Sequence, residues 1–183
     1  MLGSGIADQT VTLQADNIGI NGKVNFGGAA GGANVIIKPL SSSRSIDLGT
    51  KSGTALSLNT VELAGISASS LTIGDGTNTG GMRISDALAR TGDLHLNSGS
   101  AITATAAVTV DGSFVLDGGI WVQNGATLPG FSARSFSIGS GAGYAGDRID
   151  PAQALAEHGR LNALVFECLA ERTIALANLR RLQ

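Results

Sequence analysis

The chain has 183 residues, a formal net charge of −2, 43% hydrophobic and 14% charged residues, and 27 glycines. The apolar share excludes a disordered chain, and the near-neutral balance removes the electrostatic basis for binding nucleic acid. No apolar run approaches the roughly 18 residues of a membrane span, and a single cysteine, Cys168, excludes an internal disulfide and a multi-cysteine metal site.

The opening Met1-Leu2-Gly3-Ser4-Gly5 has no basic region and no apolar region, so no signal peptide is read there. From there a series of short apolar-x-apolar triads begins: Val11-x-Leu13, Ile18-x-Ile20, Val24-x-Phe26, Val35-x-Ile37, Ile46-x-Leu48, Leu56-x-Leu58 and Val61-x-Leu63. It continues through Leu71-x-Ile73, Met82-x-Ile84, Leu94-x-Leu96, Val108-x-Val110, Phe114-x-Leu116 and Ile120-x-Val122. Period two puts both apolar residues of a triad on one face of a strand and turns the middle residue, such as Thr72, Arg83, His95 or Thr109, outward. Turn dipeptides such as Asn21-Gly22, Asp75-Gly76 and Asp111-Gly112 separate the triads, and no helical periodicity is read between them. Strands this short suit a parallel β-helix, in which stacked coils bury each triad in a continuous narrow core. A sandwich or up-and-down barrel is the competing architecture. The low aromatic content, 4%, fits the narrow interior.

Three blocks carry a resemblance. They are Val61-Glu-Leu63 through Asp75, Gly92-Asp-Leu-His-Leu96 through Thr103, and above all Gly112 through Phe136 with Trp121, Asn124 and Pro129. Together residues 10–137 resemble the repeat region of filamentous haemagglutinin-like bacterial exoproteins. The resemblance implies a right-handed parallel β-helix, secretion to the cell surface, and an adhesive or scaffold role.

Composition then shifts. Residues 1–149 hold 26 of the glycines and ten acidic residues, of which Glu62 alone is a glutamate. Residues 150–183 are rich in Ala, Leu, Glu and Arg, which are helix formers. The boundary is placed between Phe131 and Gly139, giving a solenoid over residues 1–135 and a second segment over 136–183. In that segment Phe136-x-Ile138 reads as a strand, and Gly139-Ser-Gly-Ala-Gly143 as a glycine-rich loop laid out like a phosphate cradle. Asp150 and Pro151 mark a helix start, and Pro151–His158 a helix closed by Gly159. Asn162–Phe166 reads as a buried strand and Glu171–Leu182 as a second helix. A single long helix from Pro151 is the competing assignment.

This βαβα stretch is similar to the N-terminal end of the acyclic terpene utilisation protein family. The similarity runs from Ile138 through Gly143, Asp147, Arg148 and Asp150, then through Glu157 and Gly159 to Glu167, Glu171, Arg172 and Ala177. It implies a cytoplasmic α/β protein in the catabolism of branched terpenoid acyl compounds. The two families occupy different compartments, so a composite or truncated chain is expected, one that is not an enzyme as it stands.

The candidate ligand-binding residues are Gly139, Gly141 and Gly143 with Asp147 and Arg148, where backbone N–H groups and a guanidinium would hold an anion. To these are added Glu167, Glu171 and Arg172 at the end of the second strand, where open α/β sheets place ligands. His95 reads as a surface residue, His158 as a helix-terminal cation and Cys168 as a small core residue. The turn aspartates Asp75, Asp93, Asp111 and Asp117 each adjoin a glycine and read as backbone caps rather than as a paired-carboxylate hydrolase site. No catalytic residue, metal ligand or cofactor is assigned. The expected fold is mainly β, a parallel solenoid with a short α/β piece. Expected partners are further copies, through the solenoid ends, and a surface or carbohydrate ligand.

Overall fold

A computed structural model describes residues 9–26, 32–123 and 130–146, and these form a parallel β-solenoid of about five turns. In chain order the elements are β1 (Thr10–Gln14), β2 (Val24–Asn25), β3 (Asn34–Lys38), β4 (Ile46–Gly49), β5 (Leu56–Asn59) and α1 (Thr60–Gly65). Then come β6 (Ile66–Ser67), β7 (Ser70–Asp75), β8 (Met82–Ile84), β9 (Leu88–Arg90), β10 (Asp93–Ser98), β11 (Ala101–Ala104), β12 (Val108–Gln123) and β13 (Phe131–Gly146).

Every strand pairing among these elements is parallel, and the pairings sort into three stacks. The first stack runs β1–β3–β7–β10–β12–β13, so that Val11, Val35, Leu71, Leu94, Phe114 and Phe136 form one ladder. Leu13, Ile37, Ile73, Leu96, Leu116 and Ile138 form the ladder beside it. The second stack runs β5–β4–β8–β11–β12–β13, and the third places β9 on β12 and β13 with β2 and β6 paired apart from them. β12 and β13 are long because each turns through all three faces, with register shifts at Val110/Ser113 and Leu116/Gly118 marking the corners.

The triad reading is the reason for this shape. The first and third residues of a triad are buried, as in Leu71 and Ile73 or Leu94 and Leu96, each at most 1% exposed. Thr72 and His95 between them are half-buried on the outer surface. The core is therefore a column of Val, Ile and Leu that ends in an aromatic group. There Phe114 meets Trp121 edge-on at 5.6 Å and Phe131 edge-on at 5.1 Å, and stacks on Phe136 at 5.6 Å between centroids.

Three expectations need correction. Val61-x-Leu63 is not a strand but lies in α1, because Asn59 and Glu62 form a reciprocal capping box that starts a helix there. Ile120-x-Val122 has the opposite phase: Trp121 is buried and Ile120 is 47% exposed. The Gly118-Gly119 corner, with Gly119 at φ +91°, shifts the alternation by one residue. Gly139–Gly143 is not a loop. It lies inside β13, with Gly141 opposite Gly118 and Gly143 opposite Ile120. Pairing with the coil below overrides the turn preference of the glycines.

Ile18-x-Ile20 forms no strand, yet both isoleucines pack against the core. β6, β9 and β11 coincide with none of the triads. The segment boundary expected at 135/136 falls within β13. The helices and strand expected between Pro151 and Leu182 lie outside the described residues.

Candidate functional site

The third face carries a break in the sheet. β6 pairs with β2 and β9 with β12, and the two pairs belong to separate sheets. Arg90 spans this break. It stands at the inward-facing third position of β9, is 5% exposed, and donates through Nη1 to Ile66 O and through Nη2 to Ala68 O at 2.8 Å. Its guanidinium replaces ladder hydrogen bonds that the strands do not make with each other. Burial pushes the Arg90 pKa below the usual arginine value, and the charge of Asp93 opposes that shift. Its Nε is buried without a protein partner.

Above Arg90 lies a groove of about 500 Å³, bordered by Ser67, Ala89, Thr91, Thr109 and Asp111. Its rim carries short hydroxyls and one carboxylate. Asp111 also faces Arg134 of the next coil at 3.6 Å, both largely exposed. Such a rim can exchange hydrogen bonds with a hydroxylated or cationic group, while the cation beneath it is committed to the backbone.

A second polar cluster ties the first coil to the insertion that holds α1. Lys51 Nζ donates to Ile18 O at 2.7 Å and Ser57 O at 2.8 Å, and pairs with Glu62 Oε2 at 2.8 Å. Glu62, 6% exposed, also accepts from the Ile20 N–H at 3.0 Å and the Asn59 N–H at 2.9 Å. Burial acts to raise the Glu62 pKa. The Lys51 hydrogen bond and charge and the two backbone donors outweigh it and leave the carboxyl below the ordinary range. All three ammonium donors of Lys51 are used, so the cleft it borders with Asn17, Gly19 and Ser52 offers no free cation.

On the first face His95 Nδ1 lies 2.9 Å from Asp117 Oδ2, one coil along. His95 is thus an outward residue, as its triad position implies, but it has a carboxylate partner that the spacing of 22 positions concealed. Of the turn aspartates Asp75 caps its own turn as expected, whereas Asp93, Asp111 and Asp117 contact a neighbouring coil, because stacking brings those groups closer than their own turns do. Asp75 accepts from the Thr77 N–H at 2.9 Å and Thr77 Oγ1 at 2.6 Å, and pairs with Lys38 at 3.1 Å. Asp93 accepts from the Ser113 N–H at 2.8 Å. No group of three or more His, Cys, Asp or Glu side chains converges as a metal site among the described residues.

Of the candidate ligand residues, Gly139, Gly141 and Gly143 lie in β13. A Cβ on Gly139 would stand 3.1 Å from Asp117 O, so glycine there permits close coil packing at the corner. Asp147, Arg148, Glu167, Glu171 and Arg172, with His158 and Cys168, lie outside the described residues. Sequence reasoning missed Arg90 and the Lys51–Glu62 cluster. Two signals were present: Leu88-x-Arg90 has triad spacing with a cation at the inward position, and Asn59-x-x-Glu62 is a capping-box string.

Residues 136–183 match the family model described as "Acyclic terpene utilisation family protein AtuA", which covers about a quarter of the chain. Its first residues are therefore those of β13, the last described strand of the solenoid. No curated protein and no solved structure matches the chain.

Proposed function

We propose that residues 1–135 act as a non-catalytic scaffold of adhesin type, with the stacked faces presenting a fixed array of short polar side chains. The parallel solenoid itself supports this reading. The outward row of its first face runs Thr12, Ile36, Thr72, His95, Val115 and Ser137, one residue per coil, and its third face holds the groove rimmed by Ser67, Thr91, Thr109 and Asp111. The resemblance of residues 10–137 to filamentous haemagglutinin-like repeats, read from the sequence alone, implies the same role. Short hydroxyls and a carboxylate on a rigid frame suit a carbohydrate or another hydroxylated surface ligand.

Self-association belongs to the same reading. Phe136 and Ile138 are 44% and 48% exposed on β13, whereas Phe114 and Leu116 at the same positions one coil earlier are fully buried. A strand edge carrying two such side chains favours contact with another chain. The test is retention of the full chain on a glycan array, alongside sedimentation of the wild type and Phe136→Lys. Glycan binding that falls in Thr109→Lys, with association that falls in Phe136→Lys, supports the scaffold. A non-binding monomer refutes it.

The match of residues 136–183 favours a second reading, in which that segment belongs to a protein acting on branched terpenoid acyl compounds. Turnover of a branched terpenoid acyl thioester by the purified chain, followed by mass spectrometry, would support it over the scaffold.

A further inference from the structure

We infer that Asn21 is a site of spontaneous covalent modification: the Asn21–Gly22 unit closes to a cyclic imide and reopens as an aspartyl or isoaspartyl residue, and this change frees the first coil of the solenoid. Asn21 and Gly22 are both exposed, in the turn before β2. Among the described residues no hydrogen bond engages the Asn21 carboxamide or the Gly22 N–H. Gly22 has φ +91°, and a Cβ built there would meet nothing within 4 Å, so no side chain hinders approach of its nitrogen to the carboxamide.

The chemistry needs only water. The Gly22 amide nitrogen gives its proton to solvent base and bonds to the Asn21 side-chain carbonyl carbon. The carbon–NH2 bond breaks and ammonia leaves with that proton. Water then cleaves one of the two imide carbon–nitrogen bonds, which leaves a carboxylate on the side chain or, in the isoaspartyl product, on the former main-chain carbonyl.

Position makes the change consequential. The Ile20 N–H is held by Glu62 at 3.0 Å on one side, and Val24 pairs with Ile66 on the other. Between them the Gly22 carbonyl oxygen lies against Gly65, where a Cβ would be 2.8 Å away. An isoaspartyl residue adds one methylene to this anchored segment and a negative charge one residue beyond the Ile20 that Glu62 holds. The first coil is held by the β1–β3 ladder and by Lys51 at Ile18 O, but its apolar side chains Leu13, Ile18, Ile20 and Phe26 are only partly buried. Asn59 and Asn78 are held differently: each side chain is hydrogen-bonded and each is followed by threonine.

The test ages the full chain at mildly alkaline pH and physiological temperature. Peptide mapping by mass spectrometry reads the mass gain of about one dalton at Asn21 and at Asn97, and hydrogen exchange reads protection over residues 10–20. Conversion at Asn21 about tenfold faster than at Asn97 is expected, since glycine is the most permissive following residue. Loss of protection in step with it is also expected, and Asn21→Gln should retain both its mass and its protection. Equal rates at Asn21 and Asn97 would overturn the site. Conversion without loss of protection, or the same loss in aged Asn21→Gln, would overturn the release of the first coil.

Discussion

Removing the Glu62 carboxylate tests whether one buried acid holds the insertion and the first coil together. In Glu62→Ala the Asn59 side chain still accepts from the residue-62 N–H, but the reciprocal half of the capping box, the bond from the Asn59 N–H, is lost. The Ile20 and Asn59 N–H groups lose a charged acceptor, worth about 1.5–3 kcal/mol for such a bond. Lys51 loses its partner as well, but its side chain is 39% exposed and can be hydrated, so the full cost of a stranded buried charge does not apply. The expected loss is about 3 kcal/mol, a large part of the stability of a domain this size. Glu62→Gln, which keeps an acceptor, should lose roughly half as much.

Urea unfolding followed by far-UV circular dichroism and by Trp121 fluorescence reads the change. The pH dependence gives a second readout. The folded Glu62 pKa lies below its ordinary value of 4.5, so its contribution is fully present above that value and is lost as pH falls through the folded pKa. The wild type should therefore lose stability more steeply than Glu62→Ala below about pH 4.5. Asp16 and Asp75 are also shifted down and add slopes of the same sign, but they are common to both proteins and cancel in the difference. A variant within 0.5 kcal/mol of wild type, roughly the scatter of a neutral surface change, would refute the reasoning.

Other substitutions test other parts of the fold. Arg90→Met leaves Ile66 O and Ala68 O without their donors and should cost about 2–4 kcal/mol in chemical denaturation; an unchanged midpoint would mean the guanidinium does not bridge the sheet break. Phe114→Ala empties the centre of the aromatic group and should cost about 3–5 kcal/mol, with a shifted Trp121 emission as the local signal. Gly74 sits at φ +83°, and a Cβ there would overlap Asn97 O of the next coil, so Gly74→Ala should lose about 3 kcal/mol or more in thermal melting. Gly143→Ala, where a Cβ meets nothing within 4 Å, should be neutral or stabilise by up to about 1 kcal/mol by the same assay.

The repeating unit is legible in the order of the amino acids alone. Residues such as Leu71-x-Ile73 and Leu94-x-Leu96 alternate with period two, and that alternation alone says which side chains go inward and that His95 and Thr72 do not. It also determined the class of fold, because triads too short for free-standing hairpins bury their apolar pairs by stacking. Local patterning misled where the next coil acts as a template. Glycines 139, 141 and 143 favour a loop taken alone, but β12 offers them a ready row of hydrogen-bond partners, and they extend along it. Ile120 and Val122 look like a triad until the Gly118-Gly119 corner shifts the phase and puts Trp121 inside.

The polar groups were least legible. The spacing of Leu88-x-Arg90 marks Arg90 as an inward cation, but nothing within a few residues of it names the groups it meets. Its role exists because β6, 24 positions earlier, pairs with β2 and not with β9, which leaves Ile66 O to the guanidinium. Lys51 and Glu62 meet Ile18 and Ile20 across 33 and 42 positions, and His95 meets Asp117 across 22. Periodicity is a property of neighbours along the chain, so it fixes facing and burial. Pairing across coils depends on coil length, which the insertion between β3 and β7 changes, and so which charges and carbonyls come together is settled by the stacking itself.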